Sequence, residues 1–360
     1  MSSRVCTEAA AATDRYGFAI ATWAISGGAG FLGLHLSRRL VAAGDAVRSL
    51  DVGALDDAEL ERSVVEIRGD MRDREKAREL VEGADVLVHA AAALPIRGSR
   101  RLIMSVNVDG TETLLRAARE AGVGRIVFIS STSVYGVPKV HPIPEEAPLH
   151  GVGAYGESKI ASEERVRAAG VEWVIVRPKT FIGPERLGVF EILFDWIHEG
   201  RRIYVLGDGS NRYQLLAVED LADAIVRAVT GAVAGEVFNV GATEFGTVRS
   251  DLESLIAHAG TQSRLRAVPA RPAEIALRGL ELAKVSPLVE WHYKTASRDS
   301  YVDVSKAQRL LGWKPTKSNV ETLVENYDWY AAHRKELKST GVTHRVPWNQ
   351  QALRVLKRLS

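Results

Sequence analysis

Short apolar runs with almost no polar alternation recur along the first half of the chain: Trp23–Ser26, Ala46–Leu50, Val64–Arg68, Val86–His89, Ile126–Ser130 and Trp173–Arg177. Strands buried on both faces carry such runs, because neither face returns to water. Between them lie stretches of helical periodicity, among them Leu34–Val41, Asp73–Glu82, Val106–Ala121 and Ala154–Ala168. Repeated alternation of the two predicts an α/β fold with a doubly wound parallel sheet.

Beyond Pro184 the rhythm loosens. Phe190–Glu199 reads as a helix, Arg202–Leu206 as a strand, Asp220–Val229 as a helix, Glu236–Val240 as a strand and Asn319–Lys338 as a last helix. Residues 264–300, rich in proline, arginine and aromatics, resist assignment. The pattern predicts an extension over 1–20, a first domain over 21–184, a smaller C-terminal α/β lobe over 185–338 interleaved with it, and a tail over 339–360. Within that tail, Ala352–Leu359 is a short basic amphipathic pattern. It reads as a surface helix docked on its own subunit, with a membrane or partner contact as the alternative.

At 360 residues and 46% hydrophobic, the chain buries a large core. Its net charge of +2 gives no excess for nucleic acid. The single cysteine, Cys6, excludes an internal disulfide and a cysteine metal cluster, so no metal site is expected. No apolar run approaches the ~18 residues that span a bilayer. The first residues lack a basic start followed by a long apolar core. A soluble, cytoplasmic protein without a membrane span is expected.

The chemistry starts at Ser26-Gly27-Gly28-Ala29-Gly30-Phe31-Leu32-Gly33, between the first strand and the first helix. The glycines let backbone bend tightly and approach a ligand. The amides that open the helix, at Phe31 and Leu32, then face a pyrophosphate with the positive end of the dipole behind them. Asp51 ends the next strand 18 residues beyond Gly33, where a ribose would lie. A carboxylate there accepts hydrogen bonds from both ribose hydroxyls and repels a 2′-phosphate; no arginine follows in Val52-Gly53-Ala54, so NAD is favoured over NADP. The plainer reading is that Asp51 starts a turn.

A helix further on begins Tyr155-Gly156-Glu157-Ser158-Lys159. Residues four apart share a helix face, so the ammonium stands one turn from the phenol and lowers its pKa, as proton removal from an alcohol requires. Alone, such a pair is as well explained by an ordinary helix surface. Here it follows by 24 residues Ser131, in a hydroxyl-rich stretch after the strand Ile126–Ile129. Carboxyl ends of such strands face ligands.

These residues, with Gly69-Asp70-Met71, His89-Ala90-Ala91-Ala92, Asn107–Thr111, Arg177-Pro178, Gly183-Pro184, Gly207-Asp208-Gly209 and Leu311–Pro315, run in family order over residues 22–331. The chain thereby resembles an extended short-chain dehydrogenase/reductase of the NAD-dependent epimerase/dehydratase type. The resemblance implies an NAD-binding Rossmann domain, a substrate lobe and a homodimer acting on a small molecule. It makes Tyr155 the acid/base, with Lys159 lowering its pKa and holding the nicotinamide ribose. Ser131 would hydrogen-bond the substrate oxygen. Asp70 and Met71 would flank the adenine, Ala90 and Ala91 border the cofactor, and Pro178 lie near the carboxamide. Asn107 reads as a brace and His89 as a packed strand-end residue.

The departures narrow the reaction. Dehydratases of the family resemble Ser/Thr-Asp-Glu-Val-Tyr-Gly at the serine motif, whereas this chain has Thr132 and Ser133 in place of both acids. Elimination and decarboxylation are therefore disfavoured. Tyr213 stands where many nucleotide-sugar members carry a diphosphate-gripping arginine, Arg212 is one position off and so on the other face of a strand, and Thr180 replaces a usual asparagine. Thr132, Thr180 and Tyr213 are the candidate substrate contacts. Arg97, Arg100 and Arg101 form either a phosphate clamp or a solvated basic loop. The first expectation is hydride transfer from a secondary alcohol of a sugar or nucleotide sugar, by a 4-epimerase or dehydrogenase. The second is oxidation or reduction of a non-nucleotide alcohol, as in 3β-hydroxysteroid dehydrogenases. The third is a non-catalytic NAD sensor.

Overall fold

Eleven strands are found among the described residues: β1 (Thr22–Ser26), β2 (Ala46–Asp51), β3 (Val64–Arg68), β4 (Val86–His89), β5 (Arg125–Ile129), β6 (Glu172–Pro178), β7 (Thr180–Ile182), β8 (Arg202–Leu206), β9 (Leu215–Ala217), β10 (Glu236–Val240) and β11 (Arg264–Val268). The computed structural model describes residues 21–94, 99–282, 293, 295–337, 353 and 357. The expected extension over 1–20, and the tail apart from Leu353 and Lys357, lie outside them. The helices are α1 (Phe31–Ala43), α2 (Arg74–Val81), α3 (Arg100–Met104), α4 (Gly110–Glu120), α5 (Gly153–Arg167), α6 (Val189–His198), α7 (Val218–Thr230), α8 (Val248–Ala259), α9 (Ala270–Leu282), α10 (Ser305–Leu311) and α11 (Asn319–His333).

Seven strands pair in parallel in the order β10-β6-β5-β4-β1-β2-β3, with helices on both faces. This is the doubly wound fold. Its strand order reverses between β1 and β4, and ligands bind outside the carboxyl ends of strands at such a point. The central strands are apolar because two cores sandwich them: Ile25, Val88 and Val127 enter one, Ala24, Leu87 and Ile126 the other. After β6 the chain leaves the sheet and later returns through α7 and β10, which pairs with β6.

A third core joins Ile182, Phe194, Leu255, Leu323, Tyr327 and Tyr330, outside the main sheet. Two parallel strand pairs, β8–β11 and β7–β9, lie beside it. Leu353 packs on this core, and Lys357 bridges Asp195 and Glu199 of α6, so these two tail residues lie against their own chain. Trp313, fully buried, donates from Nε1 to the Asp220 carbonyl at 2.9 Å and fastens the Leu311–Pro315 segment to α7.

Two sequence readings change. Val106–Ala121 is not one α-helix: residues 105–109 form a π turn between α3 and α4. Such a turn lets the Asn107 carbonyl accept from Ser162 Oγ at 2.8 Å while its side chain points elsewhere. The unassigned stretch 264–300 contains β11 and α9. Both are largely exposed, so their apolar periodicity is weak. The helix α8 also escaped detection, although Thr247 and Ser250 form a reciprocal cap at its start.

Candidate active site

The glycine turn occupies the carboxyl end of β1. Gly27 has φ = 78°, and a Cβ there would lie 2.7 Å from the Ala91 amide nitrogen, so only glycine lets the turn nest against the end of β4. A Cβ on Gly33 would strike the Gly27 carbonyl. Gly30 caps α1 without a side-chain hydrogen bond, and no acid stands in the first turn. The amides at Phe31 and Leu32 thus keep their capacity for an anion. Ala90 N donates to the Ser26 carbonyl at 3.1 Å, which holds the Ala90–Ala91 backbone along the same groove.

Asp51 ends β2 beside this turn. Burial pushes its carboxyl up, while the amides of Gly53, Ala29 and Val52 pull it down. It is therefore oriented by backbone amides, with the Arg68 charge acting on it more weakly and no ion pair to it among the described residues. Gly69 N donates to the Asp51 carbonyl at 3.0 Å, which brings Asp70 and Met71 to the same edge. Asp70 pairs with Arg72 at 2.6 Å, and Met71 is buried against Gly110. An uncapped helix start, a tight glycine turn and a backbone-held carboxylate fit a dinucleotide.

Ser131 follows β5 and accepts from the Ser133 amide at 3.1 Å, which leaves its own proton free for the Tyr155 phenol oxygen. Burial pushes Tyr155 up to about 12, opposed by that hydrogen bond and by the Arg186 guanidinium. Lys159, on the next turn of α5, is 2% exposed, and its Nζ lies 5.9 Å from the Tyr155 ring centroid. Burial brings its ammonium down to about 7 against the pull of Glu163. The sequence named Lys159 as the cation that tunes Tyr155; the structure adds Arg186, which the sequence reading missed. Its signal was a lone arginine just after Gly183-Pro184. Glu185, at φ = 71° and paired to Arg38 at 2.6 Å, sets that turn.

His89 is not a base. Its Nδ1 bonds Ser26 Oγ at 2.7 Å and its Nε2 bonds Thr111 Oγ1 at 2.8 Å, and burial lowers it to about 3. Asn107 braces the loop after β4: Oδ1 accepts from Ala93 N at 2.6 Å and Nδ2 donates to Ser158 Oγ at 2.9 Å.

Ser131, Tyr155, Pro178, Thr132, Thr180 and Tyr213 all line one cavity of ≈680 Å³. Thr180 Oγ1 and the Tyr213 hydroxyl are 2.8 Å apart. Apolar side chains make up much of the remaining wall, among them Leu94, Ile103, Phe181, Val189, Phe190 and Leu252. Arg100 also lines it but pairs with Glu157, while Arg97 lies outside the described residues. Arg212 is held between the Phe245 and Tyr301 rings, 4.5 and 4.9 Å from their centroids. No cluster of metal-ligating side chains and no helix long and apolar enough to cross a membrane occurs among the described residues.

Residues 23–241 match the model of the NAD dependent epimerase/dehydratase family. The chain belongs to that family. NAD is accordingly its cofactor. Among its relatives, a UDP-glucose 4-epimerase of Mycolicibacterium smegmatis is 29% identical over 85% of this chain and 97% of its own length. The sterol demethylase protein B of Methylococcus capsulatus is 32% identical over 82% of this chain and 94% of its own. The crystal structure of a UDP-glucose 4-epimerase from Thermotoga maritima, 24% identical, superposes with a TM-score of 0.73 over 87% of this chain and 99% of that one. This last likeness concerns the fold.

Proposed function

We propose that this family member moves hydride to or from a secondary alcohol carbon, with Tyr155 as the proton donor and acceptor. The carrying observation is that Tyr155 and Ser131 together line the cavity at the carboxyl edge of the sheet. Residues 21–184 would bind NAD, and residues 185–338 would supply the substrate lobe. When bound, the nicotinamide supplies the carbon that exchanges hydride. Ser131 donates to the substrate oxygen, and Tyr155 takes the hydroxyl proton during oxidation or returns it during reduction. A phenol at about 12 holds its proton at neutral pH even with Arg186 beside it, which suits a proton donor; Lys159, one turn along the helix, would supply the further positive charge that its service as a base requires.

The apolar wall favours a non-nucleotide alcohol, and the Methylococcus relative is named for sterol chemistry. Interconversion of a sugar nucleotide is the second reading, supported by the Mycolicibacterium epimerase. Elimination of water is disfavoured. Thr132 and Ser133 carry hydroxyls where dehydratases of the family resemble acids, and the cavity carboxylate, Asp251, is already bonded to Gly246 N and Asn319 Nδ2. The test is to offer the NAD-loaded protein cyclic secondary alcohols and UDP-glucose. The proposal expects net NADH from the former, and a loss of about 10²–10⁴-fold in Tyr155→Phe. UDP-galactose formed without net NADH would transfer the reading to an epimerase. Unaltered turnover in Tyr155→Phe would remove the phenol from the chemistry.

A further inference from the structure

Two cations in the cavity wall have no counter-charge among the described residues. Lys179 is 2% exposed, donates its ammonium to Ser300 Oγ at 2.6 Å, and lies 4.8 Å over the Tyr213 ring. His141, itself lowered by burial, is another titratable group that feels this ammonium; Asp299 acts on that histidine. Arg186 holds its guanidinium 5.3 Å from the Phe31 ring centroid and 5.6 Å from that of Phe181, with Nε enclosed and without a hydrogen-bond partner. Among the described residues no carboxylate stands within ion-pair distance of either. Burial alone sets the lowering of Lys179 to about 7.

Keeping a cation out of water with no anion beside it is unfavourable, because the lost hydration is not replaced. Arg186 acts on the Tyr155 phenol, but neither cation is neutralised there, and an anionic ligand would supply the missing charge to both. Asp251, the carboxylate that lines the cavity, is turned to Gly246 N and Asn319 Nδ2 and forms no ion pair with either cation. The rest of the wall recognises hydrocarbon.

We propose that Lys179 and Arg186 select the substrate, and that the alcohol taken by this cavity carries one anionic group, a carboxylate or a phosphate monoester, on an apolar body. This rests on the cavity being the substrate site of the proposed hydride transfer. The ammonium and the guanidinium contribute charge-assisted hydrogen bonds to the anion, while the apolar wall covers the body. Arg186 also lies beside Phe31 at the glycine turn, so the dinucleotide's own diphosphate is a second source of anionic oxygen.

Calorimetric titration of the NAD-loaded protein with dodecanoate, dodecyl phosphate, 1-dodecanol and UDP-glucose tests the inference. At least one of the two anions is expected to bind about tenfold or more tightly than dodecanol, the scale of one charge-assisted hydrogen bond, and the stronger of them identifies the anion. Lys179→Met and Arg186→Gln should each erase that preference while dodecanol binds as before, which shows the cavity intact. Equal binding of dodecanol and both anions, tightest binding of UDP-glucose, or a preference that survives both substitutions overturns the proposal. If Arg186→Gln weakens NAD binding and leaves the preference unchanged, Arg186 serves the cofactor and its assignment here falls. Tyr155→Phe should keep the binding ratio, so failure of the catalytic reading shows in turnover and failure of this one in binding.

Discussion

The Lys159 ammonium donates to the Ile129 carbonyl at 2.7 Å. Ile129 is the last residue of β5, two before Ser131, so one hydrogen bond ties the helix carrying Tyr155 to the strand that leads into Ser131. The phenol and the serine hydroxyl are thereby held in a common frame.

Lys159→Met removes both that tie and the nearby positive charge. We expect kcat to fall about 100-fold or more, with a smaller change in KM, because the lost interaction concerns proton transfer rather than substrate binding. Steady-state kinetics check it. An unchanged kcat would show that Arg186 alone tunes the phenol.

Asp51→Asn keeps the shape and loses the negative charge. Hydrogen bonds to a charged group contribute about 1.5–3 kcal/mol, so KM for NAD should rise roughly tenfold or more. Discrimination against NADP should narrow, since nothing then repels a 2′-phosphate. Kinetics with both dinucleotides decide; an unaltered ratio would mean that Asp51 only shapes the turn.

Glu163 and Arg177, 1% and 2% exposed, form a bidentate pair at 2.6 and 2.8 Å beneath the site, and Glu163 also accepts from Ser130 Oγ at 2.6 Å. Glu163→Gln strands the guanidinium, and about 3–5 kcal/mol of stability should go. Burial raises the Glu163 carboxyl, but Arg177 and Ser130 outweigh it and leave it below its ordinary value. Its contribution is therefore present above the unfolded carboxylate pKa and is lost as pH falls through the folded one. Urea unfolding from neutral into acid pH measures this, and a flat profile would contradict it.

Lys179 gives a pH slope of the same sign in a higher window, but as a group whose burial destabilises the fold. Its folded value of about 7 lies below the ordinary 10.5, so between these limits the unfolded chain binds more protons and stability rises with pH. Lys159 contributes in the same window. Lys179→Met should raise the Tm of the ligand-free protein at neutral pH and flatten part of that rise. A lower Tm would show that the ammonium has a stabilising partner after all.

Local pattern reveals a feature when neighbours in sequence create it. The sheet strands were legible because burial on both faces forces unbroken apolar runs such as Val86–Val88. The glycine turn was legible because its conformational demands fall within eight consecutive residues. Tyr155 and Lys159 were legible because helical geometry places residues four apart together. Arg186 and Lys179 were not, because nothing nearby in sequence says that a charge will be buried without a partner. That depends on Phe31, Phe181, Tyr213 and Ser300 converging from distant segments. Sequence alone thus determined the family, the doubly wound sheet and the cofactor, and it named Ser131, Tyr155 and Lys159 as the candidates for the chemistry. Tertiary structure decided the apolar wall, the two uncompensated cations and the π turn that frees Asn107, since burial and desolvation exist only once remote chain segments have closed around a group.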